Sequence, residues 1–283
     1  MATAAAAAGG GERVAGTAKW DKYGSGYPGG LSGEQSEALA ELLARAPAAQ
    51  VESVRFPHEP AEVFGCRVLR ARKYVVADAL ALIATAAAWR AERRVAELAT
   101  SDPAELLGVL PDELALFHPR AYFPTPDVEG RPVYVERTGV VDGDLLMTLT
   151  SPERLEAHHI YCQESDVLEL QARNSRARGT TVVTTLSIID LDGMTMKLAS
   201  STAINYVKRL AAIDASYYPE TLGKMLIINA PGIFTAVWAI IRAFLDERTA
   251  RKVRGIGGGG GRGRALLGCA LAEFYPPVAP PPP

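Results

Sequence analysis

Apolar positions follow two periods along this chain, and the change between them divides its body. Over residues 31–100 the period is helical. Ser36 to Ala46 carries strong helix formers with Leu39, Leu42 and Leu43 on one face. Val76 to Leu98 runs without Gly or Pro, with Leu80, Ile83, Ala87 and Trp89 as candidate buried positions. From about Leu106, strand and helix signals alternate. Pro132 to Arg137 sets Val133 and Val135 against Tyr134 and Glu136, a period of two. Ser151-Pro152-Glu153 starts a helix, with a capping serine and a first-turn proline, and that helix is expected to reach about Ala172. Thr181 to Ile189 is rich in β-branched residues and predicts a strand. Lys197 to Ser216 is a helix whose stripe runs through Ala203, Tyr206, Val207, Leu210 and Ile213 to Tyr217. Met225 to Asn229 is a third short apolar run. This succession predicts parallel pairing through right-handed crossovers, hence an α/β domain.

Met225 to Ile241 holds no charged residue, a length that raises a membrane-spanning helix. The cluster Asn229-Ala230-Pro231-Gly232 splits it, leaving a strand before and a helix, Ile233 to Leu245, after. Thirteen residues reach about 20 Å, short of a hydrocarbon core of roughly 30 Å. Apolar residues occupy nearly the whole circumference of that helix. It is either buried on all sides, or it turns one face to an internal cavity and the other to a bilayer. Its surroundings favour the second. Arg242, Arg248, Arg251, Lys252, Arg254, Arg262 and Arg264 oppose only Asp246 and Glu247, a local excess of five positive charges. Such a stretch suits an anionic membrane surface, at about 1 kcal/mol per residue. A solvated basic face is the competing reading.

Composition narrows the classes. With 283 residues, 48% of them hydrophobic, the chain can bury a sizeable core, and a net charge of -2 provides no global field for nucleic acid. Cys66, Cys162 and Cys269 are too few and scattered for a disulfide scaffold and fit a reducing compartment. The Ala/Gly-rich start lacks the pattern of a secretory signal. That segment, residues 1–30, and the Gly/Pro-rich end, 255–283, are expected to be disordered tails. Gly255 to Gly263 nominally matches GxGxxG, but the basic run before it and the lack of a nearby acidic residue favour a flexible segment over a phosphate loop.

No motif for nucleophilic, zinc or P-loop chemistry is present. No metal site is expected, since the four histidines are scattered and His158 and His159 point apart on a helix, one toward the core edge and one toward solvent. Glu164 and Asp166 also face apart. Thr185 and Ser187 are more informative, because alternation places two hydroxyls on one side of an apolar strand. They either satisfy nearby backbone groups or donate to a phosphate in a greasy cavity.

Seven ordered stretches carry a resemblance. They are Arg67-Val-Leu-Arg-Ala-Arg-Lys-Tyr74, Trp89-Arg90, Glu129-Gly-Arg-Pro-Val-Tyr134, Ile189-Asp-Leu-Asp-Gly193, Tyr217-Tyr-Pro-Glu-Thr-Leu-Gly-Lys224, Ile227-Ile-Asn-Ala-Pro231 and Phe244-Leu-Asp-Glu-Arg-Thr-Ala-Arg-Lys252. With them the chain resembles the CRAL-TRIO lipid-binding family, and within it the secretory-pathway phosphatidylinositol/phosphatidylcholine transfer proteins. The resemblance implies a helical region over 31–100 and an α/β lipid cage over 105–254. The cage is closed by a mobile gate helix bearing Phe234, Val237, Trp238, Ile241 and Phe244. It implies an inositol-headgroup site at Glu220, Thr249 and Lys252 with help from Arg72 and Lys73. A deeper choline-headgroup site falls at Phe123, Tyr134, Thr185 and Ser187. This chain departs from the pattern in four ways, the first being that Thr185 and Ser187 exchange threonine and serine while keeping both hydroxyls. Phe123 lacks the tyrosine hydroxyl, Thr221 replaces a basic residue, and polyglycine follows Val253 where a strand and a helix are usual.

The expected function is therefore binding and exchange of phosphatidylinositol and phosphatidylcholine between membranes, without a catalytic step or a cofactor. The partners implied are one phospholipid and, transiently, a membrane surface, for a monomer that is cytoplasmic and peripheral to Golgi or endosomal membranes. The alternatives are a CRAL-TRIO protein for another hydrophobic ligand, such as a tocopherol, retinoid or sterol, and a lipid-sensing adaptor without transfer. An enzyme acting on phospholipid ranks third.

Overall fold

The computed structural model describes residues 26–257. Residues 1–25 and 258–283, with Cys269, Arg262 and Arg264, lie outside the described residues. The description starts within the segment expected to be a tail. There Tyr27 lies under the Arg70 guanidinium, 3.9 Å from ring centroid to Cζ, and the Gly26 carbonyl accepts from Arg70 at 2.8 Å.

Seven helices come first: α1 (Gly33–Arg45), α2 (Ala48–Val54), α3 (Ala61–Ala71), α4 (Val76–Glu92), α5 (Val95–Leu98), α6 (Pro103–Leu107) and α7 (Pro111–Phe117). α1 opens on a capping box between Ser32 and Gln35, which satisfies two end N–H groups reciprocally. The helix expected over Val76–Leu98 is two, because the chain turns at Arg94, whose φ is +50°. Leu42, Phe64, Val68, Leu69 and Ile83 bury fully between α1, α3 and α4. α3 also buries two arginines, Arg67 and Arg70, one turn apart. Arg67 grips Glu59 at 2.8 and 2.9 Å.

The sheet follows, in the order β1 (Arg120–Tyr122), β2 (Val133–Glu136), β3 (Thr185–Asp190), β4 (Leu222–Ala230) and β5 (Val253–Gly257). β1 is antiparallel to β2, and β2 to β5 are parallel. The crossovers are α8 (Gly143–Leu149), α9 (Pro152–Cys162) and α10 (Leu168–Arg178) from β2 to β3, α11 (Ser201–Tyr217) from β3 to β4, and α12 (Phe234–Arg242) with α13 (Glu247–Lys252) from β4 to β5. Three right-handed crossovers that step the same way along a sheet put their helices on one face of it. Val133, Leu186, Ile188 and Leu226 cluster on the other face.

Several expected boundaries move. The helix from Ser151 continues past Ala172, through a π-turn at Gln163–Val167, to a left-handed glycine cap at Gly179. β3 starts at Thr185 rather than Thr181, because side chains elsewhere occupy the backbone before it. Ser175 Oγ accepts from the Val182 N–H at 2.8 Å, and the Val182 carbonyl faces His58 Nε2 at 2.9 Å. Gly255 to Gly257, expected to be flexible, pair with β4 as its edge neighbour. The residues of that segment beyond Gly257 lie outside the described residues. His158 and His159 are both engaged, with Arg120 at 2.9 Å and Asp214 at 2.7 Å, so neither is simply solvated.

One glycine is required by close approach. A Cβ added at Gly139 would stand 2.2 Å from the Asp192 carbonyl oxygen and 2.4 Å from the Leu191 carbonyl carbon, both backbone. Gly139→Ala is expected to destabilise the fold by about 1–3 kcal/mol, read as a lower denaturation midpoint.

Candidate functional site

Alternation fixes what lines the helix-covered face of the sheet. The register pairs Tyr122 with Tyr134, Tyr134 with Ser187, and Ser187 with Met225, so these four share a face, joined by Thr185, Glu136 and Arg120. Tyr206 of α11 and His158 of α9 look onto it from above, as the Arg120–His158 bond shows. Tyr122, Tyr134, Glu136 and Tyr206 are enclosed by protein, which pushes the three phenols well above their usual range, yet all four keep accessible surface. Enclosure with accessible surface marks a recess between the sheet and these helices. None of α9, α11 and α12 packs its backbone extensively on the strands, which leaves room for one.

Several polar side chains on this face are held by specific partners. Tyr134 donates to Glu136 at 2.6 Å, Thr138 donates to it at 2.8 Å, and His118 lies 3.2 Å away. Burial would raise the Glu136 carboxyl, but His118 and these hydrogen bonds hold it below the usual carboxylate range. The hydroxyls of Thr185 and Ser187, both half-buried, meet no protein partner among the described residues. Of the four residues expected at the deep site, the structure thus brings Tyr134, Thr185 and Ser187 together. Phe123 is not with them. It follows β1, is 49% exposed, and takes the opposite side of the strand; Tyr122 is the ring beside Tyr134, at 5.3 Å between centroids.

A second cluster lies where β4 begins. Glu220, at φ +63°, is nearly buried and faces three cations: Arg70 at 3.7 Å, Arg248 at 3.1 Å and Lys252 at 3.2 Å. Three cations converge on this carboxylate, an arrangement that suits an anion. Burial lowers the Lys252 ammonium from its ordinary value despite Glu220, and Arg248 and Arg70 add to the lowering. Thr249 donates to the carboxylate of Asp246, the residue that caps α13. Arg72 donates to the Ala71 carbonyl at 2.9 Å, and Lys73 is exposed on a left-handed turn. Neither pairs with Glu220. Arg70 and Arg248 do, and both were missed, although Arg248 and Lys252 are spaced i,i+4 and Arg67 and Arg70 i,i+3 on their helices.

α12 belongs to the connection from β4 to β5. Val237 is buried, Phe234, Trp238, Ile241 and Phe244 are half-buried, and Ile233 and Ile240 are 39% and 49% exposed. The helix is therefore neither buried on all sides nor free. Among the described residues no single helix is long and apolar enough to cross a membrane.

A mostly parallel sheet crossed on one face by helices, with rings and hydroxyls between the two layers, defines an α/β domain with a recessed polar face. The CRAL/TRIO domain family matches residues 118–259, half of the chain, and the chain belongs to that family. The Sec14 cytosolic factor of Schizosaccharomyces pombe is 30% identical over 235 residues, covering 82% of this chain and 77% of the relative. The SEC14 cytosolic factor of Eremothecium gossypii is 32% identical over 229 residues, covering 81% and 71%. The phosphatidylinositol/phosphatidylcholine transfer protein SFH4 of Arabidopsis thaliana is 35% identical over 146 residues, covering 52% of this chain but 24% of its own. The crystal structure of Sfh5 shares the fold at a TM-score of 0.63 with 18% identity, over 79% of this chain and 80% of that one.

Proposed function

We propose that this protein binds one phospholipid at a time and exchanges phosphatidylinositol for phosphatidylcholine at membrane surfaces. The observation that carries the reading is the pair of separate polar sites on one domain. The inner one consists of hydroxyls and aromatic rings at Tyr122, Tyr134, Thr185 and Ser187. The outer one is the cation cluster around Glu220. Hydroxyls bond a phosphate while tyrosine faces attract a quaternary ammonium, which suits choline. Cations beside a carboxylate suit the inositol phosphate and its ring hydroxyls, with Thr249, Arg72 and Lys73 at the periphery. Relatives named as phosphatidylinositol/phosphatidylcholine transfer proteins support the same pair of lipids.

Exposure of acyl chains costs roughly 0.8 kcal/mol per CH₂, so a lipid leaves only when the cage opens against a bilayer. α12 is the gate in this reading, with Val237 and its stripe on the ligand and Ile233 and Ile240 toward the membrane. The protein works as a cytoplasmic monomer that visits Golgi or endosomal surfaces, and no covalent step is required.

The test is mass spectrometry of lipid retained after incubation with vesicles of mixed phosphatidylinositol and phosphatidylcholine. One equivalent of either lipid is expected. The double variant Thr185→Val with Ser187→Ala is expected to retain at least about tenfold less phosphatidylcholine at unchanged phosphatidylinositol, because two hydrogen bonds to a charged phosphate are lost. An empty, folded protein would point instead to a lipid-sensing adaptor, and lipid hydrolysis products to an enzyme.

A further inference from the structure

The inner site holds a cation beside its hydroxyls. Arg120 on β1 pairs with Glu136 two residues from the Tyr122–Tyr134 pair, so its side chain leaves the sheet on the helix-covered face. The guanidinium is almost wholly enclosed, with Tyr134, Cys162, Tyr206 and the Glu136 carboxylate around it. Nη2 donates to Nδ1 of His158 at 2.9 Å. Burial, with Arg120 next, brings the His158 pKa down to about 4, so that imidazole is neutral and supplies an acceptor without charge.

Among the described residues no carboxylate forms an ion pair with Arg120. Glu136, the nearest by register, is engaged by His118, Tyr134 and Thr138. Asp166 belongs to Cys162. A guanidinium carries five N–H donors, and an enclosed one is stable only when they are used. By register Arg120, Thr185 and Ser187 lie on the same face of the sheet.

We propose that Arg120 binds the phosphate of the lipid held in the cavity, its fork taking two phosphate oxygens while Ser187, Thr185 and a tyrosine hydroxyl complete the shell. The inner site is then selective for phosphate-bearing lipids over neutral ones of equal chain length, such as diacylglycerol. The assignment rests on the proposed function and adds to it a charged residue in the deep site, where sequence reading found only hydroxyls and rings.

The native protein is first incubated with vesicles of phosphatidylcholine, of phosphatidylinositol, and of phosphatidylcholine containing diacylglycerol, and retained lipid and unfolding midpoint are measured. Arg120→Gln is expected to weaken phosphatidylcholine retention by at least about tenfold, the scale of a charge-assisted hydrogen bond. Phosphatidylinositol retention and the midpoint stay near native, and diacylglycerol gains on phosphatidylcholine. Native phosphatidylcholine retention in Arg120→Gln overturns the proposal. So does parallel loss of both phospholipids with a lowered midpoint, which would make Arg120 a counter-ion of the fold. Should Arg120→Gln not fold, Arg120→Lys decides: the proposal expects weaker phosphatidylcholine retention for want of the fork, and native retention sinks it. A native protein that takes up neither phospholipid defeats the proposed function itself, and this assignment with it.

Discussion

Arg67→Ala is expected to cost about 3–5 kcal/mol of folding stability, a large share of the 5–15 kcal/mol typical of a domain. Arg67 and Glu59 are both fully buried, joined by two hydrogen bonds of 2.8 and 2.9 Å. The guanidinium also stacks 4.1 Å above the Phe56 ring and donates to the Pro219 carbonyl at 3.2 Å. Truncation would leave the Glu59 carboxylate buried with, among the described residues, only the Phe56 N–H, at 3.4 Å, to solvate it. It would also release Pro219, the residue before Glu220, so the outer cation cluster should loosen as the fold weakens. Arg67→Lys recovers little, because an ammonium cannot fork onto both oxygens. Removing both charges together, as Arg67→Met with Glu59→Gln, costs less than Arg67→Ala alone, since no uncompensated ion remains. Urea denaturation reads all three. A loss under about 1 kcal/mol for Arg67→Ala would mean that water reaches the pair.

Sequence pattern located the elements whose signal is local. The alternation at Val133–Glu136 and the capped start at Ser151 appear where expected, while α11 starts at Ser201 rather than Lys197 and leaves Val207 of its expected stripe 39% exposed. Features decided at a distance were not legible. Nothing within Thr181–Thr184 says that a histidine 124 residues away and a serine on α10 take its backbone groups, so the strand starts later than its composition predicts. β1 has three residues, too few for alternation to say whether Tyr122 or Phe123 faces inward, and only its register with β2 places Tyr122 beside Tyr134. α3 ends at Ala71 in a left-handed turn through Lys73 and Tyr74 with no glycine to mark it. The motif Arg67–Tyr74 therefore did not reveal which of its arginines point inward. The two that do, Arg67 and Arg70, tie the helical region to the residues beside Glu220, which only the tertiary structure shows.

Lys252→Ala is expected to abolish retention of phosphatidylinositol, by at least about a hundredfold, while phosphatidylcholine retention stays within about threefold of native. The ammonium sits 3.2 Å from Glu220 at the end of α13, apart from the inner face where Tyr134 and Ser187 pair. Removing it takes away one of three cations and leaves Glu220 closer in charge balance with Arg70 and Arg248, so the attraction for a phosphate drops. The pH dependence has a definite sign. Burial lowers the Lys252 pKa from its ordinary value of about 10.4, and only the protonated form attracts a phosphate. Phosphatidylinositol retention is therefore expected to fall as pH rises, beginning at lower pH than an ordinary lysine would allow. A bound phosphate favours the charged ammonium, so lipid added before the pH is raised should delay that fall. Lys252→Arg should retain the lipid across the same range, because a guanidinium stays charged. Phosphatidylcholine retention should not change with pH over that interval. If Lys252→Ala lowers both lipids equally, the two headgroups share one site and the division between an outer cluster and an inner chamber is wrong.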